Sequence, residues 1–156
     1  MTEPRAIEGE VSARGQRVVI VAARFNDFIV SSLVKGAAAA WLEHGGAAAD
    51  LAIIRVPGAF ELPLAARKLG ASGRYDAVVA LGCVIRGDTP HFEYVAGECA
   101  RGLQQAGLET GVPVAFGVLT VDTVDQALER ATTNAGNKGG EAMETALEMA
   151  SLLKLL

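Results

Sequence analysis

Four short apolar runs constrain this chain more than any other feature. They are residues 17–23 (RVVIVAA), 51–56 (LAIIRV), 77–84 (AVVALGCV) and 114–119 (VAFGVL). Each is continuous rather than alternating and is rich in β-branched residues, the pattern of a strand covered on both faces in a parallel sheet. Between them the apolar residues fall at helical spacing. Ile29, Leu33, Ala37, Ala40 and Trp41 make the first stripe, with Asn26 or Asp27 as its cap and His44-Gly45-Gly46 as its stop. A short helix over 60–69 follows Pro57-Gly58, and Phe92, Val95, Ala96, Cys99, Leu103 and Ala106 mark a longer one. A helix over 123–132 has Thr123 as cap. After a glycine-rich turn over 134–140 comes a last helix with Ala142, Met143, Ala146, Leu147, Ala150 and Leu153 facing inward and Glu141, Glu144 and Glu148 facing out. Strands that alternate with helices in this way form a parallel sheet with helices on both faces.

The 156 residues suit one domain, expected over 16–156, with residues 1–15 as an arm free to dock on a neighbour. A net charge of −4 provides no basic field for a nucleic-acid backbone, although a few local donors can still hold a small anion. Cys83 and Cys99 lack C-x-x-C spacing and read as buried reduced thiols. The opening MTEPRAIEGE is charged where a signal peptide would be apolar, and no run approaches the roughly 20 apolar residues of a membrane helix, so the cytoplasm is expected.

In open parallel sheets ligands bind beyond the carboxyl ends of the strands. The unusual residues of this chain gather at those ends: Arg24 to Asp27, Pro57 to Glu61, Arg86 to His91 and Leu119 to Asp122. The third group matters most, because a strand ending in glycine and opening a helix leaves backbone N–H groups suited to an anion. His91 stands at that mouth as a proton carrier for neutral pH, or as a structural histidine; His44, at a helix C-terminus, reads as structural. Phe25 and Phe60 either stack on a heterocycle or plug the sheet end, and Glu61 either favours a helix dipole or accepts from a polyol. Arg86 and Arg130 read equally as surface ion pairs or as phosphate ligands. No G-x-x-x-x-G-K-[ST] or G-x-G-x-x-G follows a strand, and no cluster of metal ligands stands out.

The ordered set RFN at 24–26, PGAFELP at 57–63, GCVIRGDTPHFEYV at 82–95 and NAGNKG at 134–139 resembles the lumazine synthase family over nearly the whole chain. That resemblance implies a three-layer αβα sandwich with a parallel, mainly four-stranded sheet in flavodoxin-like layering. It also implies a cytoplasmic transferase of riboflavin biosynthesis that makes 6,7-dimethyl-8-ribityllumazine from 5-amino-6-(D-ribitylamino)uracil and 3,4-dihydroxy-2-butanone 4-phosphate, with no cofactor and no metal. Phe25 is then expected to stack on the pyrimidine. Ala59, Phe60 and Glu61 would line the ribityl pocket, and Cys83, Val84 and Ile85 would hold the uracil edge. Asp88 and Thr89 would bound the phosphate, with Asp88 turned outward so that only its N–H faces the dianion, and His91 would move protons. Phe116, Arg130 and Lys138 would come from a neighbouring subunit, Arg130 gripping the phosphate. The partners implied are the small-molecule substrates and further copies of the chain, in a pentamer and an icosahedral shell, with no nucleic acid or membrane. The other readings are an archaeal-type riboflavin synthase and a non-catalytic shell-forming or flavin-binding paralogue.

Overall fold

A parallel strand can reach its neighbour only by a crossover, and the right-handedness of crossovers decides which face each helix covers. The computed structural model describes residues 2–132 and 136–156. Its strands are β1 (Val18–Ala23), β2 (Leu51–Val56), β3 (Ala77–Ile85) and β4 (Val114–Val121). Its helices are α1 (Asp27–Glu43), α2 (Leu62–Gly70), α3 (His91–Thr110), α4 (Val124–Ala131) and α5 (Lys138–Leu155). The strands pair in parallel in the order β2-β1-β3-β4. The step from β1 to β2 therefore runs in the opposite direction to the steps that follow it, and α1 lies on one face with α4 and α5 while α2 and α3 lie on the other. The result is a three-layer αβα sandwich.

The sheet divides the core in two, with alternate residues of each strand serving each half. Val18, Ile20 and Ala22 of β1 pack under α1 and α5 with Trp41, Met143 and Leu147, whereas Val19, Val21 and Ala23 pack with Leu62, Cys99 and Leu103. Trp41 is fully buried, and its Nε1 donates to the Ala47 carbonyl at 2.8 Å, so its one polar atom is satisfied. The expectation of four strands buried on both faces holds for β1 and β3 only. In the single chain β2 and β4 are edges, leaving Ile53 and Phe116 about half exposed at 48% and 49%.

Three local expectations also change. Asn26 occupies the N-cap position of α1, but with φ 63° and no side-chain bond to the helix; it turns the chain rather than capping it. Helix α5 begins at Lys138, so Lys138, Gly139 and Gly140 are helical and not part of a turn. The cap is Asn137, whose Oδ1 accepts from the amides of Gly139 at 2.8 Å and Gly140 at 3.2 Å. Its Nδ2 donates to the Ser32 and Ala131 carbonyls, which ties the second turn of α1 and the end of α4 to the start of α5. Leu153, expected inward, is 41% exposed. The Thr123 cap is present, its Oγ1 accepting from the Gln126 amide at 3.1 Å. Residues Asn134 and Ala135 of the NAGNKG stretch lie outside the described residues.

The arm packs on its own chain from Gly9 onward. A Cβ at Gly9 would strike the Glu148 carbonyl of α5, the Glu10 amide donates to Ser151 Oγ at 3.1 Å, and Ala13 is buried with its amide on the His44 carbonyl. His44 closes α1, and its Nε2 lies 2.9 Å from Glu144 Oε2, tying α1 to α5. No helix among the described residues is long and apolar enough to cross a membrane.

Candidate active site

The reversal of strand order lies between β1 and β3. The chain leaves β1 toward one face and β3 toward the other, which opens a crevice at their carboxyl ends. A cavity of about 750 Å³ occupies this place. It draws on all three strands that end there: Phe25 and Asn26 after β1, residues 57–61 after β2, and Cys83, Val84, Ile85, Gly87, Thr89 and His91 from the end of β3 and the start of α3.

Backbone bonds build this mouth. The amide of Arg24 donates to Val56 O at 2.8 Å and that of Phe25 to Pro57 O at 3.0 Å, so the β1–β2 ladder continues past the strands and holds the Phe25 ring at the opening, 72% exposed. Asn26 then reverses the chain in the left-handed region, which asparagine tolerates better than most residues. Its Nδ2 donates to the Cys83 carbonyl at 2.8 Å and bolts the two lips of the crevice together. Ala59 is buried under a short 3-10 turn (Ala59–Glu61), while Phe60 and Glu61 face solvent at the rim. Pro63 in the first turn of α2 lacks the N–H that such a position leaves unpaired.

Asp88 is exposed and is not among the residues lining the cavity, whereas Gly87 and Thr89 on either side of it are. Thr89 Oγ1 accepts from the His91 amide at 3.4 Å, so the turn bends back on the first residue of α3. His91 is solvent-exposed at the cavity wall.

Phe116, Arg130 and Lys138 are elsewhere. They line a second pocket of about 460 Å³ beside the open edge of β4, and the two pockets have no lining residue in common. Arg130 Nη1 donates to the Gln126 carbonyl at 2.9 Å, and Lys138 Nζ lies 3.2 Å from Glu141 Oε2. Both side chains are about half exposed, so their ion pairs with Glu129 and Glu141 contribute little to stability and leave the charges accessible.

Tyr94 and Val95 also line the first cavity, and neither was singled out as a site residue from the sequence. The signal was available: on α3 they stand three and four residues beyond His91, the spacing that puts helical side chains on one face.

Cys83 sits in the wall with its thiol buried, and burial pushes that thiol up to about 11, as it does for Cys99. A thiolate is scarce at neutral pH under those conditions, so neither sulfur is a nucleophile in the folded chain. Both cysteines are expected to resist iodoacetamide at pH 8 until the protein is unfolded. Rapid labelling of Cys83 in the native state, read by mass spectrometry, would contradict this.

A cavity lined by an aromatic ring, backbone amides, a threonine and a histidine is equipped to hold a flat polar heterocycle and an anion and to pass protons between them. The sequence model of the 6,7-dimethyl-8-ribityllumazine synthase family matches residues 15–154, from just before β1 to the last turn of α5. With nearly the full length covered and the parallel four-stranded sandwich in place, the chain belongs to the 6,7-dimethyl-8-ribityllumazine synthase family.

Proposed function

We propose that this chain condenses 5-amino-6-(D-ribitylamino)uracil with 3,4-dihydroxy-2-butanone 4-phosphate, releasing phosphate and two waters as 6,7-dimethyl-8-ribityllumazine forms, with residues 16–156 as the catalytic domain. The observation that carries the reading is the division of the site. One cavity gathers Phe25, residues 59–61, residues 83–85, Thr89 and His91, and a separate pocket on the β4 edge holds Phe116, Arg130 and Lys138. Two incomplete surfaces on one chain become one complete site when the β4 edge of a neighbour closes over the cavity, in a head-to-tail ring. A pentamer, further assembled into a shell, is the arrangement proposed.

In that site Phe25 stacks on the pyrimidine, and the backbone of Cys83, Val84 and Ile85 reads its edge. Glu61 at the rim accepts hydroxyl groups of the ribityl chain, beside Ala59 and Phe60. The phosphate rests on the turn at Asp88 and Thr89, with the Asp88 carboxylate directed away from it, and meets Arg130 of the neighbour; Phe116 and Lys138 of the same neighbour close the pyrimidine side.

The amine of the first substrate attacks the ketone of the second and loses water to give an imine. Loss of the proton next to the imine expels phosphate and leaves an enol, which rearranges to a methyl ketone; the second nitrogen closes the ring on that new carbonyl, and a second water departs. Each step moves a proton between groups that are already reactive, so holding the partners together supplies much of the acceleration. His91 delivers and removes the protons.

Purified protein mixed with both substrates should raise lumazine absorbance well above the spontaneous rate. His91→Ala should slow turnover on the order of a hundredfold without abolishing it. Wild-type protein that never exceeds the spontaneous rate would sink the enzymatic reading and leave a binding or scaffold role.

A further inference from the structure

The turn that carries Thr89 has few contacts of its own. Residues 86–90 are all exposed, and a Cβ at Gly87 would meet nothing within 4 Å. What fixes the turn comes from its first residue. The Arg86 amide donates to the Val121 carbonyl at 2.9 Å, extending the β3–β4 ladder by one bond. The Arg86 side chain then reaches both neighbouring elements. Its Nε donates to Asp122 Oδ1 at 2.8 Å, its Nη1 lies 3.8 Å from Glu93 Oε1, and its Cζ stands 4.7 Å from the centre of the Phe92 ring. Phe92 lines the cavity and directly follows His91.

We propose that Arg86 is a positioning residue for the reaction, holding the Gly87–Asp88–Thr89–Pro90 turn and the first turn of α3 in register with the loop after β4; this rests on the lumazine-forming reading of the cavity. Arg86 does not line the cavity, so it acts through Thr89, His91 and Phe92. A half-exposed ion pair by itself is weak. Here three weak contacts converge on one short turn, and a planar guanidinium alone among side chains can stack on the ring while donating sideways to a carboxylate. The chain of bonds also continues. The Asp122 amide donates to Gln126 Oε1 at 2.7 Å, and the Gln126 carbonyl accepts from Arg130 Nη1, so the far end of the same network steadies the phosphate cation of the second pocket.

The test uses the assembled full-length protein with Arg86→Ala, Arg86→Lys and Asp122→Ala. In Arg86→Ala, amide hydrogen exchange over residues 87–92 should quicken by about tenfold while strands β1 and β3 keep their protection. The KM for the phosphorylated butanone should rise about fivefold to tenfold and kcat should fall by about tenfold, with the KM for the pyrimidine within about twofold. A mere loss of folded protein would lower kcat and leave both KM values alone. Arg86→Lys should recover only part of the loss, because it keeps the charge and forfeits the stacked fork, and Asp122→Ala should add little to Arg86→Ala. Unchanged exchange over 87–92, a lysine as effective as the arginine, or two unaltered KM values would each overturn the proposal. The exchange measurement needs no turnover, so it stands or falls separately from the assignment of the substrates, which fails only if the wild-type chain forms no lumazine.

Discussion

Gly139→Ala is expected to lower the melting temperature by roughly 6–12 °C or to prevent folding. A Cβ there would fall on the carbonyl oxygen of Leu33, with the Leu33 carbonyl carbon 2.7 Å away and its Cα 2.9 Å away. All three are backbone atoms in the middle of α1, so no side chain can rotate to make room, and α5 must move off α1 as a whole. The seam between those helices buries Trp41, Ala40, Met143, Ala146 and Leu147. Overpacking of this kind costs about 3 kcal/mol, a large part of the roughly 5–15 kcal/mol that holds a domain together, and for a chain of this length each kcal/mol shifts the midpoint by roughly 2–4 °C. Gly140→Ala is the control. Its Cβ would lie 3.4 Å from the Gly36 carbonyl, an ordinary contact, and alanine favours a helix over glycine by about 1 kcal/mol. Thermal unfolding followed by circular dichroism should therefore separate two adjacent glycines, and equal midpoints for wild type and Gly139→Ala would show that the helices are not in such contact.

Subunits that are each nearly inactive should restore activity to one another. Arg130→Ala removes the cation assigned to the phosphate and is expected to lower kcat/KM by roughly 10²- to 10³-fold, the scale of losing one fixed donor to a developing anion. His91→Ala removes the proposed proton carrier. If each site takes His91 from one chain and Arg130 from the next, a random one-to-one co-assembly of the two variants leaves about a quarter of its sites with both groups intact. Co-expressed variants should then recover about a quarter of wild-type turnover, many times the rate of either alone. A co-assembly that gives only the average of its parents would mean that His91 and Arg130 serve the same chain's site, or that they serve no common one.

Much of the fold was legible because its punctuation is strong. LAIIRV is bracketed by Asp50 and Pro57-Gly58, and β2 has the bounds read from the sequence. The start of α5 was misread because Gly139 and Gly140 look like turn residues, when Gly139 is there for the close approach of α1 and Asn137 offsets the poor helix propensity of the pair. Edge strands were invisible for a different reason. A continuous apolar run reads the same in a central strand as in an edge strand, so the half exposure of Ile53 and Phe116 could not be read from the runs themselves. The cavity was legible in outline, since Phe25, Glu61 and His91 all follow strand ends and the strand order places those ends together. The separation of Phe116, Arg130 and Lys138 from them was expected from the family resemblance alone, because spacing along a chain carries no information about which of two surfaces a residue will face. Asn26 escaped as well, its left-handed backbone being set by the need to reach the Cys83 carbonyl across the crevice.

The cap at Asn137 has a consequence for mutational maps of this chain. One side chain receives two amides of α5 and donates to carbonyls at Ser32 and Ala131, and the next residue but one is pressed against α1. Lys138 lies between them, and its side chain alone in that short run is free to face outward. A saturation screen scored by growth would find residues 137–139 uniformly intolerant and would credit all three to chemistry. Only the middle one has a claim to touch substrate; its neighbours are intolerant because one caps α5 and the other lies against the backbone of α1.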